Sequence, residues 1–497
     1  MDEEGVTRMD SAIACRYHKL PRKIEDDYHC ATKVLGSGCE GDVLLATSKF
    51  DSTNSYAVKG FNLHGMSPET KEDIAREVEI FLGMDHPHIV RLLDVYESET
   101  RLDLVMECMT GGELLQRVSG KRRFTQKDAA DTTWQMLLAL NYLHSHNIVH
   151  RDLKLENFMY ETPHNNHLRL IDFGFSQRWD PDTVMALSCG TLGYVAPDVL
   201  RHSYTTKCDT WSLGVIVFTL LFGYMPFNGP EKEQMRAIMK GEYEVREKMW
   251  ERVPEPAQDF VKRLLMLDPE KRLSAEAAMQ HPWVKNRHHA SNGSVHEETI
   301  ASLCSFAQNS LMKRTCMKVA AWSLTPRQRA TVRNEFLKLD TSNKGTITLS
   351  QLRQVLKEYS PDSAQLTEEA LHAVSESSEE IHYSEFLAAM VSSQIALNDT
   401  LLQSTFRRFD SDNSGFITPE NLRSVLGSTF DEDMIEELLA EADTSRDGKI
   451  SYDEFMVFMK QGAKKEAANA STDGAFNGRS CQSCGLGSRG DAACSVQ

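Results

Sequence analysis

Three closely spaced glycines near the start of the chain could bind phosphate groups. They follow an apolar pair and are Gly36, Gly38 and Gly41. Glycines let a hairpin backbone close over phosphates without side-chain clashes, although such spacing also occurs in ordinary flexible turns. Lys59 lies 16 residues past Val43 on the following strand-like run, where it could hold the α and β phosphates. Glu77, on the helix predicted next, could pair with Lys59 and fix its direction.

The middle of the chain supplies the carboxylates that magnesium-assisted phosphate chemistry needs. The loop 150–157 places Asp152 where a carboxylate could accept a hydroxyl proton, with Lys154 and Asn157 on the same loop. Asp172, in the run Asp-Phe-Gly, offers a second carboxylate suited to Mg²⁺ that bridges phosphates. Each acid taken alone could be a solvated loop residue. Five spaced motifs in one order instead favour a phosphoryl-transfer site.

The surrounding pattern predicts the elements that must position these groups. Residues 28–105 combine β-rich runs with one polar helical stretch, Pro68 to Met84, which suggests a small sheet carrying one helix. Residues 110–284 are mostly amphipathic helical segments joined by short loops. The most apolar run, Val215 to Phe222, is far shorter than the roughly 20 residues of a membrane span and predicts a buried helix.

Over residues 28–284 the sequence resembles a eukaryotic protein kinase domain. The resemblance implies a bilobal fold, with ATP and Mg²⁺ as cofactors. It implies that Asp152 is the catalytic base and that Lys154 contacts the γ-phosphate. The matching metal ligands are Asn157 and Asp172.

The same resemblance implies where the nucleotide binds. Lys59 and Glu77 would form an ion pair at the phosphates, and Met106 would be the gatekeeper of the adenine pocket. The other nucleotide contacts would come from small and apolar residues and from two backbone groups: Leu35, Gly36, Gly38, Gly41, Val43, Ala57, Glu107 and Cys108. Asp209 matches the buried helix acid that braces the catalytic loop.

Several residues bear on the protein substrate. Lys154, two residues after the expected base, together with Thr191 downstream, is similar to the serine/threonine branch. We therefore expect Ser or Thr hydroxyls of protein substrates as acceptors, with Thr191 among the substrate-binding residues. Glu113 and Glu156 match positions that face an arginine three residues before the acceptor in basophilic relatives. Each of these two could also be a solvated acid.

The chain departs from the kinase pattern in two places. Asp198 stands where the family has Glu, and the arginine partner of that Glu is matched by Arg272. Because Asp is one methylene shorter than Glu, we expect a weaker ion pair with Arg272 and a modest loss of lobe stability. The segment after Gly174 has three hydroxyl residues before Thr191, namely Ser176, Thr183 and Ser188. None has an evident phosphorylation context, so activation is expected to come from elsewhere.

An internal repeat fills the acidic C-terminal part of the chain. Its loops start near positions 340, 374, 410 and 443, at spacings of 34, 36 and 33 residues. Residues 331–460 hold 11 basic and 24 acidic side chains, a net charge of −13, which favours cations. The net charge of −17 over the whole chain argues against a nucleic-acid partner, which would require a basic face.

The fourth and third repeats resemble calcium loops. Such a loop supplies oxygens from positions 1, 3, 5, 7, 9 and a bidentate Glu at 12, with Gly at 6. The fourth loop passes at every position, with the expected ligands Asp443, Ser445, Asp447, Lys449 and Glu454. The third loop has the expected ligands Asp410, Asp412, Ser414 and Phe416. Its position 12 is Asn421, which offers one oxygen instead of two, so we expect weaker Ca²⁺ binding and relatively more Mg²⁺.

The first and second repeats are degenerate. The first loop, 340–351, has Lys344 at position 5, where an ammonium repels a dication, and Gln351 at position 12. The second loop, 374–385, starts with Val374 and carries Glu379 in place of the glycine. We expect both to pack as helix–loop–helix units without an ion.

A kinase domain, a connecting helix and four such hands resemble the calcium-dependent protein kinases of plants and protists, over about residues 28–462. The resemblance implies an α+β chain: a bilobal protein-kinase fold followed by an all-α calmodulin-like domain of two EF-hand pairs that binds Ca²⁺. It further implies that the connecting segment inhibits the active site until the calmodulin-like domain binds Ca²⁺ and removes it. Alternatives are a kinase with constitutive activity and structural hands, and a calcium-sensing pseudokinase.

The connecting segment, 297–322, has residues that allow such a switch. An apolar face can be formed by Leu303, Phe306, Met312, Cys316 and Val319. Basic partners for the acidic hands are Lys313, Arg314 and Lys318. A helix that merely braces the two domains is the alternative.

Domain boundaries and location follow from these patterns. We expect six segments: an N-terminal extension (1–27), the kinase domain (28–284), a linker and junction helix (285–330), EF-hand lobe 1 (331–393), EF-hand lobe 2 (394–462) and a disordered tail (463–497). Eleven cysteines without a paired framework and no recognisable secretory signal predict a cytosolic protein. Cys494 lies in a C-terminal C-a-a-X pattern, with Cys481 and Cys484 as palmitoylation candidates, so membrane association is expected only if the tail is lipidated. Chance cysteines in a disordered tail are the alternative.

Overall fold

The N-terminal lobe is built around one six-stranded sheet. The computed structural model describes residues 15–38, 41–51, 54–120, 124–287, 295–359, 380–391, 393–426 and 430–461. The lobe's elements are β1 (Tyr17–Lys19), α1 (Ile24–Asp27), β2 (Tyr28–Gly38), β3 (Gly41–Ser48), β4 (Ser55–Asn62), α2 (Pro68–Leu82), β5 (Leu92–Glu97) and β6 (Arg101–Glu107). The strand order is β1-β5-β6-β4-β3-β2, with β1 parallel to β5 and the other pairs antiparallel.

Helix α2 carries the first of the predicted acidic groups. It starts where a capping serine and a proline at the first position would start it, since Ser67 Oγ accepts from Thr70 N at 3.2 Å. Val78 and Phe81 are buried on the face toward the sheet, and Glu77 is buried beside them. The helix therefore presents Glu77 to the strand that holds Lys59.

The C-terminal lobe is mainly helical and forms the rest of the larger core. Its elements are α3 (Leu114–Ser119), α4 (Gln126–Ser145), β7 (Ile148–Val149), β8 (Phe158–Tyr160), β9 (Leu168–Leu170), β10 (Gln177–Arg178), α5 (Pro197–Leu200), α6 (Lys207–Phe222), α7 (Glu231–Lys240), α8 (Glu247–Trp250), α9 (Glu255–Leu264), α10 (Ala275–Met279) and α11 (Pro282–Lys285). The apolar run predicted as a buried helix lies in α6, where Val215, Ile216 and Val217 are fully buried. Within the described stretches no helix is both long and apolar enough to cross a membrane.

The remaining residues form the junction helices and the hands, around a second core. The elements are α12 (Glu297–Ala307), α13 (Leu311–Trp322), α14 (Pro326–Leu339), β11 (Ile347–Thr348), α15 (Leu349–Tyr359), β12 (Glu380–Ile381), α16 (Tyr383–Met390), α17 (Asp399–Phe409), β13 (Phe416–Ile417), α18 (Pro419–Leu426), α19 (Glu432–Ala440), β14 (Ile450–Ser451) and α20 (Tyr452–Lys460). Short antiparallel pairings join β11 to β12 and β13 to β14. The hands therefore couple as first with second and third with fourth.

The segment assigned to an N-terminal extension contributes to both cores. Strand β1 adds an edge to the sheet of the N-terminal lobe, with Tyr17 opposite Val95. Cys15 is buried in the core of the hands. A strand of three residues carries too little alternation to be read from the sequence, so the added edge strand could not be predicted.

Candidate active site and calcium-binding loops

The phosphate end of the cleft is built from the β2–β3 hairpin, β4 and α2. Gly38 pairs with Gly41 at the hairpin tip, and Val43 stands opposite Lys59 in the register of β3 and β4. Lys59 Nζ lies 2.9 Å from Glu77 Oε1 and 3.9 Å from Asp172 Oδ1. The structure thus brings together the ammonium, its orienting carboxylate and the carboxylate expected to bind Mg²⁺.

The backbone of the catalytic loop, 150–157, is held by the buried side chain of Asp209. Asp209 accepts hydrogen bonds from the backbone N–H groups of His150 and Arg151, both at 2.9 Å, and lies 3.0 Å from His144 Nε2. Burial alone would raise the pKa of Asp209, but these hydrogen bonds and the nearby imidazoles lower it below its usual value. The carboxylate is therefore ionised and fixes the loop backbone next to Asp152.

Asp152 lies at the centre of the expected chemical site. Its Oδ1 accepts from Thr191 Oγ1 at 2.8 Å, and its Oδ2 is ion-paired with Lys154 Nζ. Asn157 Nδ2 donates to the Asp152 carbonyl at 2.9 Å, so the amide oxygen of Asn157 is the atom left for a metal. The expected base (Asp152), phosphate contact (Lys154) and metal ligand (Asn157) therefore lie on one short segment. Thr191 contacts this segment from a later part of the chain.

Asp172 is positioned by the packing of its neighbour. Phe173 is buried and stacks on Phe81 of α2 with ring centroids 5.0 Å apart, and it makes an edge contact with His150 at 5.5 Å. Asp172 itself adopts a φ of +65°, a conformation that a non-glycine residue rarely holds without support. Aromatic packing from both lobes therefore supports the strained residue expected to hold the metal.

The residues expected around adenine lie on three adjacent strands and the hinge. Leu35 is on β2, Val43 on β3 and Ala57 on β4, where Ala57 stands opposite Met106 in the register of β4 and β6. Glu107 ends β6 and Cys108 follows it, so their backbone groups form the connection between the lobes. The strand order places these residues in one part of the cleft.

The two acids expected to read the substrate lie close in the fold. Glu113 forms an isolated antiparallel bridge with Met159, three residues beyond Glu156. Glu156 accepts from Tyr194 Oη at 3.4 Å, and both acids are half-buried. They therefore share one edge of the C-terminal lobe beside the catalytic loop.

The pair between Asp198 and Arg272 forms despite the shorter acid. Arg272 Nη2 lies 2.7 Å from Asp198 Oδ1, and the guanidinium also donates to the carbonyls of Met266 and Lys207. The second oxygen of Asp198 is buried and has no hydrogen-bond partner. The pair is thus made through one carboxylate oxygen.

In the fourth calcium loop the end residues close over the turn. Asp443 accepts from Arg446 N at 2.6 Å and from Gly448 N at 2.9 Å, while Glu454 accepts from Ser445 N at 2.8 Å. A hydrogen bond from the Ser451 backbone is the largest of the causes that lower the pKa of Glu454 to about 2. An ionised Glu454 facing positions 2 and 3 of the loop, with the other oxygens of the loop, fits Ca²⁺ by its donor chemistry. The other donors expected of this loop are the Ser445 hydroxyl and the Lys449 carbonyl.

The third loop has the same backbone hydrogen bonds at position 1 but an amide instead of a carboxylate at position 12. Asp410 accepts from Ser414 N at 2.8 Å and from Gly415 N at 3.0 Å. Burial and the neighbouring Asp412 raise the pKa of Asp410. Asn421 Nδ2 donates to Ser411 Oγ at 3.0 Å, so its amide nitrogen occupies the place where Glu454 brings an accepting oxygen.

The junction helices lie in the core of the hands. The apolar face expected from the sequence is buried there as a whole: Leu303, Phe306, Met312, Cys316 and Val319. Lys318 Nζ lies 3.6 Å from Glu385 Oε1, and Lys313 Nζ donates to the Gln461 carbonyl. Arg314 donates to the backbone carbonyls of Ala307 and Asn309 in its own segment.

A row of ion pairs between the hands and the kinase domain had no signal in the sequence. Its members on the hands are arginines of α14 and α17, each bonded to an acid of the kinase domain or of α1: Arg329 with Glu107, Arg333 with Glu161, Arg407 with Asp27 and Arg408 with Asp94. Trp322, at the end of α13, lies between the guanidinium groups of Arg16 and Arg91, 3.6 and 3.9 Å from its ring centre. The hands therefore dock on the side of the kinase domain formed by β1, β5 and the hinge.

Comparison with known families places this arrangement in a class. The family model of the protein kinase domain matches residues 29–284, and that of an EF-hand domain pair matches residues 399–460. The second match covers the third and fourth hands. These matches define a protein kinase domain followed by EF-hands.

Relatives with both parts identify the family. The chain is 34% identical over 441 residues to calcium-dependent protein kinase 14 of Arabidopsis thaliana, covering 86% of this chain and 83% of the relative. It is 33% identical over 463 residues to calcium-dependent protein kinase 3 of Oryza sativa subsp. japonica (91% and 84%) and 34% identical over 454 residues to calcium-dependent protein kinase 3 of Plasmodium berghei (88% and 81%). The chain belongs to the calcium-dependent protein kinase family.

Membership of this family confirms the predicted class and activity. The chain is a calcium-regulated serine/threonine protein kinase of the α+β class that uses ATP with Mg²⁺, and its EF-hands bind Ca²⁺. A kinase domain and hands in one chain indicate protein substrates and regulation within the molecule.

Proposed function

We propose that this kinase phosphorylates Ser or Thr residues that lie three positions after an arginine, and that its junction helices restrain this activity at low Ca²⁺. The observation that carries the proposal is the setting of Asp152, whose carboxylate is bonded to both Thr191 and Lys154. A substrate hydroxyl bound beside Lys154 would pass its proton to this carboxylate. Lys154 would then balance the charge of the transferred phosphoryl group.

The nucleotide would be held by groups that the fold already aligns. Lys59, oriented by Glu77, suits the α and β phosphates of ATP, and Asn157 with Asp172 suits Mg²⁺. When bound, Mg²⁺ neutralises charge that develops on the phosphates. Oxygen donors of a carboxylate and an amide match the preference of this ion, so the residues fit the group.

Preference for an arginine is supported by the pair of acids beside the catalytic loop. Glu113 and Glu156 lie near each other through the bridge between Glu113 and Met159. Two half-buried carboxylates at one edge attract a guanidinium more strongly than two solvated ones would. They would position the substrate so that its hydroxyl reaches Asp152.

Restraint at low Ca²⁺ is supported by the chemistry of the junction helices. Their apolar face is covered by the hands, and α13 also carries Lys313 and Arg314. When the second lobe, whose Gln461 carbonyl accepts from Lys313, leaves α13, the basic end of this helix becomes available to the acidic edge formed by Glu113 and Glu156. Such a helix would compete with a basic protein substrate.

Phosphate transfer to two matched peptides tests both parts of the proposal. One peptide carries Arg three residues before Ser, and its control carries Ala there; both are assayed with Mg²⁺-ATP in excess EGTA and across a free Ca²⁺ titration. We expect a higher kcat/KM for the arginine peptide, lost in Glu113→Gln and Glu156→Gln, and strong activation by Ca²⁺. Equal use of the two peptides would contradict the arginine preference. Equal activity in EGTA and in Ca²⁺ would contradict the restraint.

For location, we propose a cytosolic protein with a membrane-bound fraction anchored by lipid on Cys494. This cysteine and Cys481 and Cys484 lie outside the described residues, so the support is the C-a-a-X pattern alone. Substitution Cys494→Ser should move the protein from the membrane fraction to the soluble fraction. An unchanged distribution would contradict the proposal.

A further inference from the structure

The first loop of the hands is held by hydrogen bonds among its own residues. Gln351, at the twelfth position, accepts from Thr348 N at 2.7 Å and donates to Thr341 Oγ1 at 2.8 Å. Asp340, at the first position, accepts from Gly345 N at 2.7 Å and from Ser342 Oγ at 2.8 Å. The third and fourth loops form matching bonds, so the first loop is set apart by Lys344 at position 5, where an ammonium stands in place of an oxygen ligand and repels a dication.

The same loop presses on the kinase domain at its position-6 glycine, which the third and fourth loops do not do at theirs. A Cβ placed on Gly345 would lie 2.4 Å from Tyr142 Cδ2 and 2.7 Å from His86 Cδ2, both in the kinase domain. The equivalent glycines of the third and fourth loops, Gly415 and Gly448, have the same backbone shape, with φ of +82° against +80°, and nothing within 4 Å. The glycine at position 6 of the first loop thus serves close contact between domains as well as the turn.

Polar contacts extend this docking to both hands of the first lobe (α14 to α16). The Asn343 carbonyl accepts from Asn141 Nδ2 of α4 at 2.7 Å. In the second hand, Ser384 N donates to Asp85 Oδ2 of the kinase domain at 2.7 Å. Glu385, the twelfth residue of that loop, accepts from His382 N at 2.9 Å and pairs with Lys318 of α13, so its charge is balanced within the protein.

We propose that the first lobe is an ion-independent docking element, which stays bound to the His86–Tyr142 face of the kinase domain when Ca²⁺ is removed. Ca²⁺ then acts through the second lobe (α17 to α20) alone. This lobe leaves and returns while the first lobe stays in place on the kinase domain. This inference rests on the proposed function only for the direction of the switch, from restrained to active. The contacts that carry it involve no residue of the third or fourth loop.

Hydrogen–deuterium exchange of the full chain tests the docking directly. Peptides covering 83–88, 136–146 and 380–391 are followed in EGTA and in Ca²⁺, for the wild type, Gly345→Val and the matched control Gly415→Val. We expect equal protection of these peptides in EGTA and Ca²⁺ for the wild type, and exchange faster by about tenfold or more in Gly345→Val, because overpacking forces the surfaces apart. Gly415→Val carries the same backbone strain without the contact and should match the wild type.

A second variant keeps the test valid if Gly345→Val unfolds the hand. Asn141→Asp, on the kinase side, sets a carboxylate against the Asn343 carbonyl and should also raise exchange in 380–391. Protection of the wild type that appears only with Ca²⁺, or no effect of either variant, would overturn the inference. Phosphate transfer in the same samples separates the two claims, because loss of Ca²⁺ activation with unchanged protection would contradict the proposed function and leave the docking intact.

Discussion

Arg329 of α14 is ion-paired with Glu107, so the first helix of the hands is tied to the hinge between the kinase lobes. Both side chains are buried, and Glu107 also accepts from Arg169 Nη1 at 2.9 Å. Burial is the main reason that the pKa of Arg329 is lowered to about 9. The arginine stays charged at neutral pH and pairs with Glu107, so the backbone expected to meet adenine is held by a residue outside the kinase domain.

Substitution Arg329→Gln should weaken both stability and nucleotide binding. Removal of one partner of a buried pair typically costs about 3–5 kcal/mol, because the other charge is left uncompensated. We expect denaturant unfolding of the variant to show a loss of this order, moderated by Arg169, and the KM for ATP to rise. Arg327→Gln, an exposed position on the same helix, is the control. Unchanged stability and an unchanged KM in Arg329→Gln would show that the hinge is independent of the hands.

Asp152→Asn should abolish most of the chemistry and little of the structure. Loss of a general base typically lowers kcat by about 10²–10⁴-fold. The loop itself is held by Asp209 and by the Asn157 bond to the backbone, neither of which the substitution removes. We expect an unchanged thermal midpoint, and Asp182→Asn at an exposed position should keep full activity. A kcat within about twofold of the wild type would exclude Asp152 as the base.

Asp198→Glu should stabilise the C-terminal lobe. The second oxygen of Asp198 is buried without a hydrogen-bond partner, and a longer acid could bring both oxygens to Arg272. One additional hydrogen bond of this kind contributes about 1 kcal/mol to the free energy of unfolding. Equilibrium unfolding of the two proteins measures the difference. A less stable variant would show that the pocket is shaped for the shorter acid.

The parts of this molecule that could be predicted are those whose chemistry fixes a local spacing. A phosphate lysine, a catalytic aspartate and a twelve-residue calcium loop need given residues at given intervals, so Lys59, Asp152 and Asp443 are visible in the sequence. The docking of the hands follows no such interval. Arg408 and Asp94 lie 314 residues apart, and each alone is an ordinary charged residue until the fold buries them together.

The first loop of the hands shows a further limit. Lys344 and Gln351 predict the loss of an ion but not what replaces it. The loop instead gains a docking contact between Gly345 and the ring of Tyr142, 203 residues earlier in the chain, and this contact depends on shape instead of residue type. Degenerate motifs therefore predict the function that is lost more readily than the one that is gained.

Low pH should release the second lobe from the kinase domain through Asp94. Burial would raise the pKa of Asp94, but Arg408 and hydrogen bonds from His18 and Tyr28 lower it far below its usual value. A lowered pKa in the folded state contributes stability above the unfolded value of about 3.9, and this contribution is lost as the pH falls toward the folded value. The difference in stability between wild type and Asp94→Asn should thus be constant from about pH 5 to 8 and shrink below about pH 4. A difference that does not begin to shrink as the pH falls below about 4 would contradict this assignment.

The two calcium loops of the second lobe should respond in opposite directions to changes at position 12. Glu454→Gln removes one carboxylate oxygen from the fourth loop, and Asn421→Glu adds one to the third. We expect the Ca²⁺ concentration for half-maximal activity to rise in the first variant and to fall in the second, with calorimetry reporting the matching change in binding. Glu420→Gln, one residue out of register and exposed, is the control and should change neither. If Asn421→Glu instead raised the Ca²⁺ concentration for half-maximal activity, the third loop would reach its active shape without a bidentate ligand, through the bond from Asn421 to Ser411.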